Sequence, residues 1–265
     1  MFKIRDDNVV EIDYPYFPRK ITGTRFATVL GLNKYATPFS AWAYLTRIWD
    51  EPFRETKYTR AGKAIEPKQI SYMKSKYAKS TIRTPVEEFG EDYFSWTSGD
   101  FFPTNAYYGG MWDCYFVGKD GKSAVAVGEM KTTKRAEYLR GENVPEANVL
   151  QASLYAKLMG VEHACLTYSL LDDSAYENPD GYVPNDGNTR TLWFKPLDMI
   201  PNFEDMYEYG IEWYRKHVEE GISPEFDPKR DAGVLLDLRR QIDESRLKVE
   251  EQLRNAQERY GVEMA

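Results

Sequence analysis

Only two cysteines and two histidines occur in this chain of 265 residues. Cys114 and Cys165 cannot supply the four thiolates of an iron–sulfur cluster, so no such cluster is held by this chain alone, and no disulfide framework is expected. His163 and His217 give poor support to a histidine-rich zinc site or a histidine-based triad. Apolar runs are far shorter than the roughly 20 residues that cross a bilayer. The opening Met1-Phe2-Lys3-Ile4-Arg5-Asp6-Asp7 has no signal-like apolar stretch, and the expectation is a soluble, cytoplasmic protein with no membrane partner. No internal repeat or low-complexity segment is present. Positive charge is also short: 35 Lys and Arg stand against 42 Asp and Glu, a net charge of −7. Phosphate binding rewards Lys and Arg, so this balance argues against nonspecific nucleic-acid binding over the whole surface. The basic residues are clustered, however, with Lys57, Arg60, Lys63, Lys68, Lys74, Lys76 and Lys79 in one group and Lys131, Lys134, Arg135 and Arg140 in another. A focused groove fits that pattern.

What is present is apolar and aromatic: 42% hydrophobic residues and 15% aromatic ones suffice for the core of one large domain. The most informative segment is a hairpin. Trp112 to Val117 and Ser123 to Thr132 read as strands about the turn Gly118-Lys119-Asp120-Gly121-Lys122. Pairing about that turn sets Asp113 opposite Gly128 or Glu129. Alternation sends Val125, Val127, Glu129 and Lys131 to one face, so two acids and a lysine share a small volume. Phosphodiester hydrolysis needs charge neutralisation at phosphate and an activated water, both of which a divalent cation supplies. Magnesium prefers hard oxygen ligands and keeps several waters. Asp113 and Glu129 are the expected ligands, with the Met130 carbonyl a third and manganese a substitute ion. Lys131 is placed to hold the attacking water and offset transition-state charge.

The Glu-x-Lys spacing by itself says little, because Glu55-Thr56-Lys57, Glu66-Pro67-Lys68, Asp120-Gly121-Lys122 and Asp227-Pro228-Lys229 share it or its aspartate form. Glu129-Met130-Lys131 differs in ending the apolar run Ala124-Val125-Ala126-Val127. Charged groups entering a buried strand are costly unless compensated.

Several ordered motifs carry a resemblance. Ile21-Thr22-Gly23-Thr24-Arg25 and Val29 to Tyr35 come first, followed by Pro38-Phe39 with Trp42. Then come Ala61 to Pro67 around Glu66, Gly110-Met111-Trp112-Asp113, Gly128 to Thr133, and finally Gln151-Ala152-Ser153-Leu154-Tyr155. Over about residues 20 to 170 the chain resembles the lambda-exonuclease-like, YqaJ-type viral recombinase branch of the PD-(D/E)xK nucleases. Cys114 stands where many members carry glycine. The resemblance implies an α/β fold, a central mixed sheet flanked by helices in a restriction-endonuclease-like core. It implies Glu66 as an additional acidic ligand, Asp113 and Glu129 as metal ligands, Lys131 as the catalytic lysine, Gln151 and Tyr155 as positioning groups beside the substrate, and Arg25 as a holder of the DNA end phosphate. The implied activity is magnesium-dependent exonucleolytic resection of duplex DNA, 5′ to 3′, for recombination in a virus or mobile element. A single-strand annealing protein and a homo-oligomer are the implied partners besides DNA. The competing reading is a noncatalytic DNA- or protein-binding module on the same fold, such as a host-defence antagonist or complex subunit.

Local signals place these motifs. A short helix over Thr24 to Leu30 closes at Gly31, a second opens at Thr37-Pro38, and Arg60 to Tyr77 forms a third carrying Glu66. Asn143-Val144-Pro145 starts a helix from Glu146 to Met159 that ends at Gly160. Gln151 and Tyr155, four apart, share its face, and without the resemblance Tyr155 reads as ordinary core. A strand follows at Ala164 to Leu171. The Asp-, Asn-, Pro- and Gly-rich stretch Asp172 to Asn188 reads as a mobile connection or insertion. Thr191 to Lys195 reads as an edge strand, and Asn202 caps a helix reaching Gly221. Residues 1–230 are expected to form the nuclease domain. Residues 231–265 are expected to be a charged helical arm with a narrow stripe of Leu235, Leu238, Ile242, Val249, Leu253 and Ala256, serving packing or oligomerisation.

Overall fold

In the computed structural model, five strands form one mixed sheet: Thr81–Arg83 (β1), Cys114–Val117 (β2), Ala124–Lys134 (β3), His163–Leu171 (β4) and Thr189–Phe194 (β5), in that spatial order. The structure describes residues 2–140 and 144–260. The start signal at Asn143 lies outside them, as do the last five residues of the arm and the side chains of Leu253 and Ala256. All neighbouring strands run antiparallel except β3 and β4.

Chain chemistry explains both kinds of connection. Between β2 and β3 the Asp120 carboxylate accepts from the amides of Lys122 and Ser123, while Gly118 N–H donates to the Ser123 carbonyl at 2.8 Å. Such side-chain capping tightens a short turn. The parallel β3 and β4 need a crossover. It is supplied by the helix Glu146–Met159, which ends at Gly160 in the left-handed conformation.

The chain's helices include Gly23–Val29 (α1), Lys57–Lys76 (α2) and Phe203–Trp213 (α4), with Glu146–Met159 as α3 between them. Thr56 and Thr59 form a capping box that starts α2 three residues before the sequence signal at Arg60. On one sheet face Met73 of α2 packs with Cys114, Ala126, Met130 and Cys165. Glu129 lies on the other face, since side chains alternate along β3, and there it meets Gln151 of α3. The helices α2 and α3 therefore cover opposite faces. Between them Gly128 is flanked by Cys114 on β2 and Cys165 on β4. A Cβ at Gly128 would lie 2.7 Å from the Cys114 sulfur and 3.3 Å from that of Cys165, so the two thiols occupy the space a side chain would need.

The stretch Asp172 to Asn188, expected to be a mobile connection or an insertion, is an ordered, anchored segment. It contains a helix at Asp173–Glu177 and a 3-10 turn at Pro179–Gly181. Lys68 on α2 donates to the carbonyls of Pro179, Asp180 and Tyr182, and Tyr176 and Tyr182 are buried. Backbone carbonyls satisfied by one ammonium, with two buried aromatics, hold this segment despite its loop-like composition.

The chain divides into two compact units: Lys20–Asn33 with Pro52–Glu212, and Met1–Arg19 with Lys34–Glu51 and Trp213–Ala265. The first contains the sheet. In the second, Thr37 forms a capping box with Ser40 at the start of the helix Pro38–Leu45, as Thr37-Pro38 announced. Tyr214–Glu219 forms a π-helix, so the expected run to Gly221 is not uniformly α. In the C-terminal helix Ala232–Tyr260, Val234, Leu235 and Leu238 are buried but Leu247 and Val249 are exposed. Among the described stripe residues, Leu235 and Leu238 are covered and Val249 is not.

Candidate nuclease site

Pairing of β2 with β3 ends at Cys114 opposite Gly128. Asp113 lies immediately before β2, and its Oδ2 accepts from the Met130 amide at 2.6 Å. A carboxylate thus replaces the missing ladder partner, which draws Asp113 to the strand that carries Glu129 and Lys131. The strand itself begins two residues later than the expected Trp112.

Glu129 is fully buried on the α3 face. Its Oε2 accepts from Lys131 Nζ at 2.9 Å and from Gln151 Nε2 at 2.7 Å. Its Oε1 has no hydrogen-bond partner. Buried carboxylate oxygens are rarely left in that state, because the desolvation cost goes uncompensated. Glu66 reaches the same neighbourhood from α2 on the other side of the sheet. Burial and the nearby Asp113 raise its pKa from 4.5 to about 7, against the opposing pull of Lys131.

The same forces act on the other acids. Burial, then Asp113, push Glu129 up to about 8, with Lys131 partly countering them. Asp113 is raised by burial, while Lys131 and the Met130 amide pull it down. Burial disfavours the Lys131 ammonium, but Glu129 and Asp113 outweigh it and hold the lysine charged. Ionising three acids around one lysine would leave excess negative charge at low dielectric, which is why their pKa values rise and which a hard cation relieves. The unpartnered Glu129 Oε1 is an oxygen donor of the right chemistry, so the residues fit a divalent ion. Among the described residues, no three His, Cys, Asp or Glu side chains already stand in a ligating arrangement. Asp113 and Glu129 are turned instead to the Met130 amide, Lys131 and Gln151.

Gln151 and Tyr155 part company. Gln151 touches Glu129 directly, whereas Tyr155 is buried, stacks on Phe102 at 6.0 Å, and hydrogen-bonds through its hydroxyl to the backbone of Gly23 and Met111. A Cβ at Gly110, whose φ is +117°, would stand 2.6 Å from that hydroxyl. Tyr155 therefore supports the segment leading to Asp113 and the start of α1 from within the core. Arg25 is half-buried on α1, which packs against α3. Gly31 has φ +73° just beyond that helix, as its position suggested.

Sequence reasoning missed Gln69. It is buried, and its Nε2 donates to the carbonyls of Lys131 at 2.8 Å and Thr167 at 3.0 Å. The available signal was a polar residue in the buried stripe Ala61, Ile65, Gln69, Met73 of α2. It also missed the Lys20 to Asp100 ion pair at 2.7 Å, which fixes the loop ahead of Gly110.

An alkaline exonuclease of Laribacter hongkongensis superposes with a TM-score of 0.52, covering 82% of this chain and 94% of that one at 17% identity. The chain has the exonuclease fold. A phage-related exonuclease of Haemophilus somnus 129PT agrees at a TM-score of 0.50 and 14% identity, covering 77% of this chain and 97% of the other. In sequence the chain is similar to the uncharacterized MG373 homolog of Mycoplasma pneumoniae, 25% identical over 264 residues that span 83% of this chain and 90% of the relative. The Mycoplasma genitalium protein MG373 is 42% identical over 76 residues, 26% of this chain. No family model matches. Among the described residues no helix is long and apolar enough to cross a membrane.

Proposed function

We propose that the protein is a divalent-metal-dependent DNA exonuclease whose machinery lies in residues 20–33 and 52–212. The observation that carries this reading is the buried Glu129, with one oxygen unpartnered and the other held by Lys131 and Gln151. The exonuclease fold supports it.

Glu66, Asp113, Glu129 and the Met130 carbonyl would hold magnesium, with manganese as a substitute. Such a cation neutralises phosphate charge and makes water a competent nucleophile near neutral pH. Gln151 fixes one Glu129 oxygen and leaves the other for the ion. Lys131 remains an ammonium and offsets the negative charge carried by the oxygens around the attacked phosphorus. Arg25 on α1 is assigned to the terminal phosphate, through a charge-assisted contact. We assign polarity as 5′ to 3′ and the biological role as resection for recombination, with an annealing protein and a second copy of the chain as partners.

The test is hydrolysis of end-labelled linear duplex with magnesium, manganese or chelator, beside the same DNA as a closed circle. Metal-dependent loss of the linear form, with the circle intact, is expected. No hydrolysis with either ion overturns the catalytic reading, and cutting of the circle replaces the exonuclease with an endonuclease.

A further inference from the structure

We propose that Gln69 is a positioning residue for the metal-dependent reaction, locking the helix that carries Glu66 to the strand that carries Lys131. This rests on the nuclease reading given above. Among Ala61, Ile65, Gln69 and Met73, the buried stripe of α2, only Gln69 is polar. An apolar side chain would fill that position without the cost of burying an amide. The amide is instead fully used as a donor, to the carbonyl of Lys131 on β3 and of Thr167 on β4.

Those two strands are the parallel pair, in a register that aligns Met130 with Thr167 and Lys131 with Tyr168. One side chain therefore ties both strands at the residue whose ammonium holds Glu129. Glu66 lies three positions earlier on the same helix, almost one turn away. Two acids that reach the site from opposite sides of the sheet thus have their spacing set through Gln69. Loss of the donor leaves two buried carbonyls short of a partner and frees α2 to move relative to Lys131.

The experiment compares Gln69→Met, which keeps the length and removes the donor, with Met73→Ala, which opens the same helix contact one turn on and touches no acid of the site. In Gln69→Met, kcat on linear duplex should fall about tenfold and half-activating magnesium should rise by a similar factor, the usual scale for groups that orient ligands. KM for DNA should hold within about twofold, because no DNA contact is lost. Met73→Ala should lower Tm without moving the magnesium midpoint. Equal magnesium midpoints in the two variants overturn the proposal and leave Gln69 a packing residue. Should Gln69→Met fail to fold, Gln69→Asn retains a donor one methylene short, and an unchanged magnesium midpoint in it has the same force. If the wild type hydrolyses nothing, the nuclease reading has failed; calorimetric titration with manganese then decides the positioning role. Binding weakened about tenfold in Gln69→Met relative to Met73→Ala supports it, and equal binding overturns it.

Discussion

Gln151 Nε2 lies 2.7 Å from Glu129 Oε2, an amide from the crossover helix seated on a carboxylate of the sheet. The contact fixes one oxygen of a fully buried acid and leaves the second without a partner. Glu129→Gln therefore removes a buried ionisable acid with one unpartnered oxygen while keeping shape. Metal-dependent hydrolysis should be lost, Tm in chelator should hold or rise, and metal should no longer raise it. Asp113→Asn should lose activity in the same way. Near-normal turnover in either variant removes these acids from the mechanism.

Lys131→Ala should cut turnover about a hundredfold or more, the usual scale for one electrostatic group acting on the transition state. It should also destabilise the chelated protein, because Glu129 would lose its ion-pair partner in the interior. Weaker DNA binding with normal turnover at saturating substrate would make Lys131 a docking residue instead.

Acid titration gives a signed prediction. Glu66 and Glu129 are raised from 4.5 to about 7 and about 8, chiefly by burial. Folding thus favours their protonated forms, and their contribution to stability is present below about pH 4.5 and lost as pH rises to about 8. In chelator, the Tm of wild type relative to Glu129→Gln should fall between pH 5 and pH 8.5, and divalent metal should remove most of that fall. A difference that stays flat with pH would show that Glu129 does not titrate there.

Arg25 is tested at the DNA end. Wild type should prefer 5′-phosphorylated over 5′-hydroxyl duplex, and Arg25→Ala should erase the preference more than it lowers hydrolysis once begun, because only the end contact recognises the extra charge. Equal preference ratios would make Arg25 structural.

Tyr155→Phe deletes a buried hydroxyl that serves the backbone at Gly23 and Met111. A loss of about 1–2 kcal/mol in denaturant unfolding is expected, the scale of a buried hydrogen bond. A variant with full stability but impaired DNA binding would return Tyr155 to the substrate.

Much of this was legible in the sequence because the signals were local. Gly160 ended α3 where its position indicated, and the turn residues 118–122 brought Asp113 to β3. What escaped depended on distant partners. Lys68 finds its carbonyls more than a hundred residues away, so the 172–188 stretch looked like an unanchored loop. Gln69 was overlooked for the same reason, since its acceptors lie on β3 and β4. Helical spacing alone read Tyr155 as ordinary core, and it is buried; its neighbours Phe102, Gly23 and Gly110 come from distant segments that spacing does not name.

The two thiols over Gly128 make the molecule its own reporter. Both are buried, and burial pushes both well above the ordinary thiol range. A thiol reagent should find nothing to label in the native state, and Cys114 and Cys165 should become reactive when the centre of the sheet opens. Labelling rate then becomes a direct clock for opening of the strands beside Asp113 and Glu129, readable with no probe added to the chain.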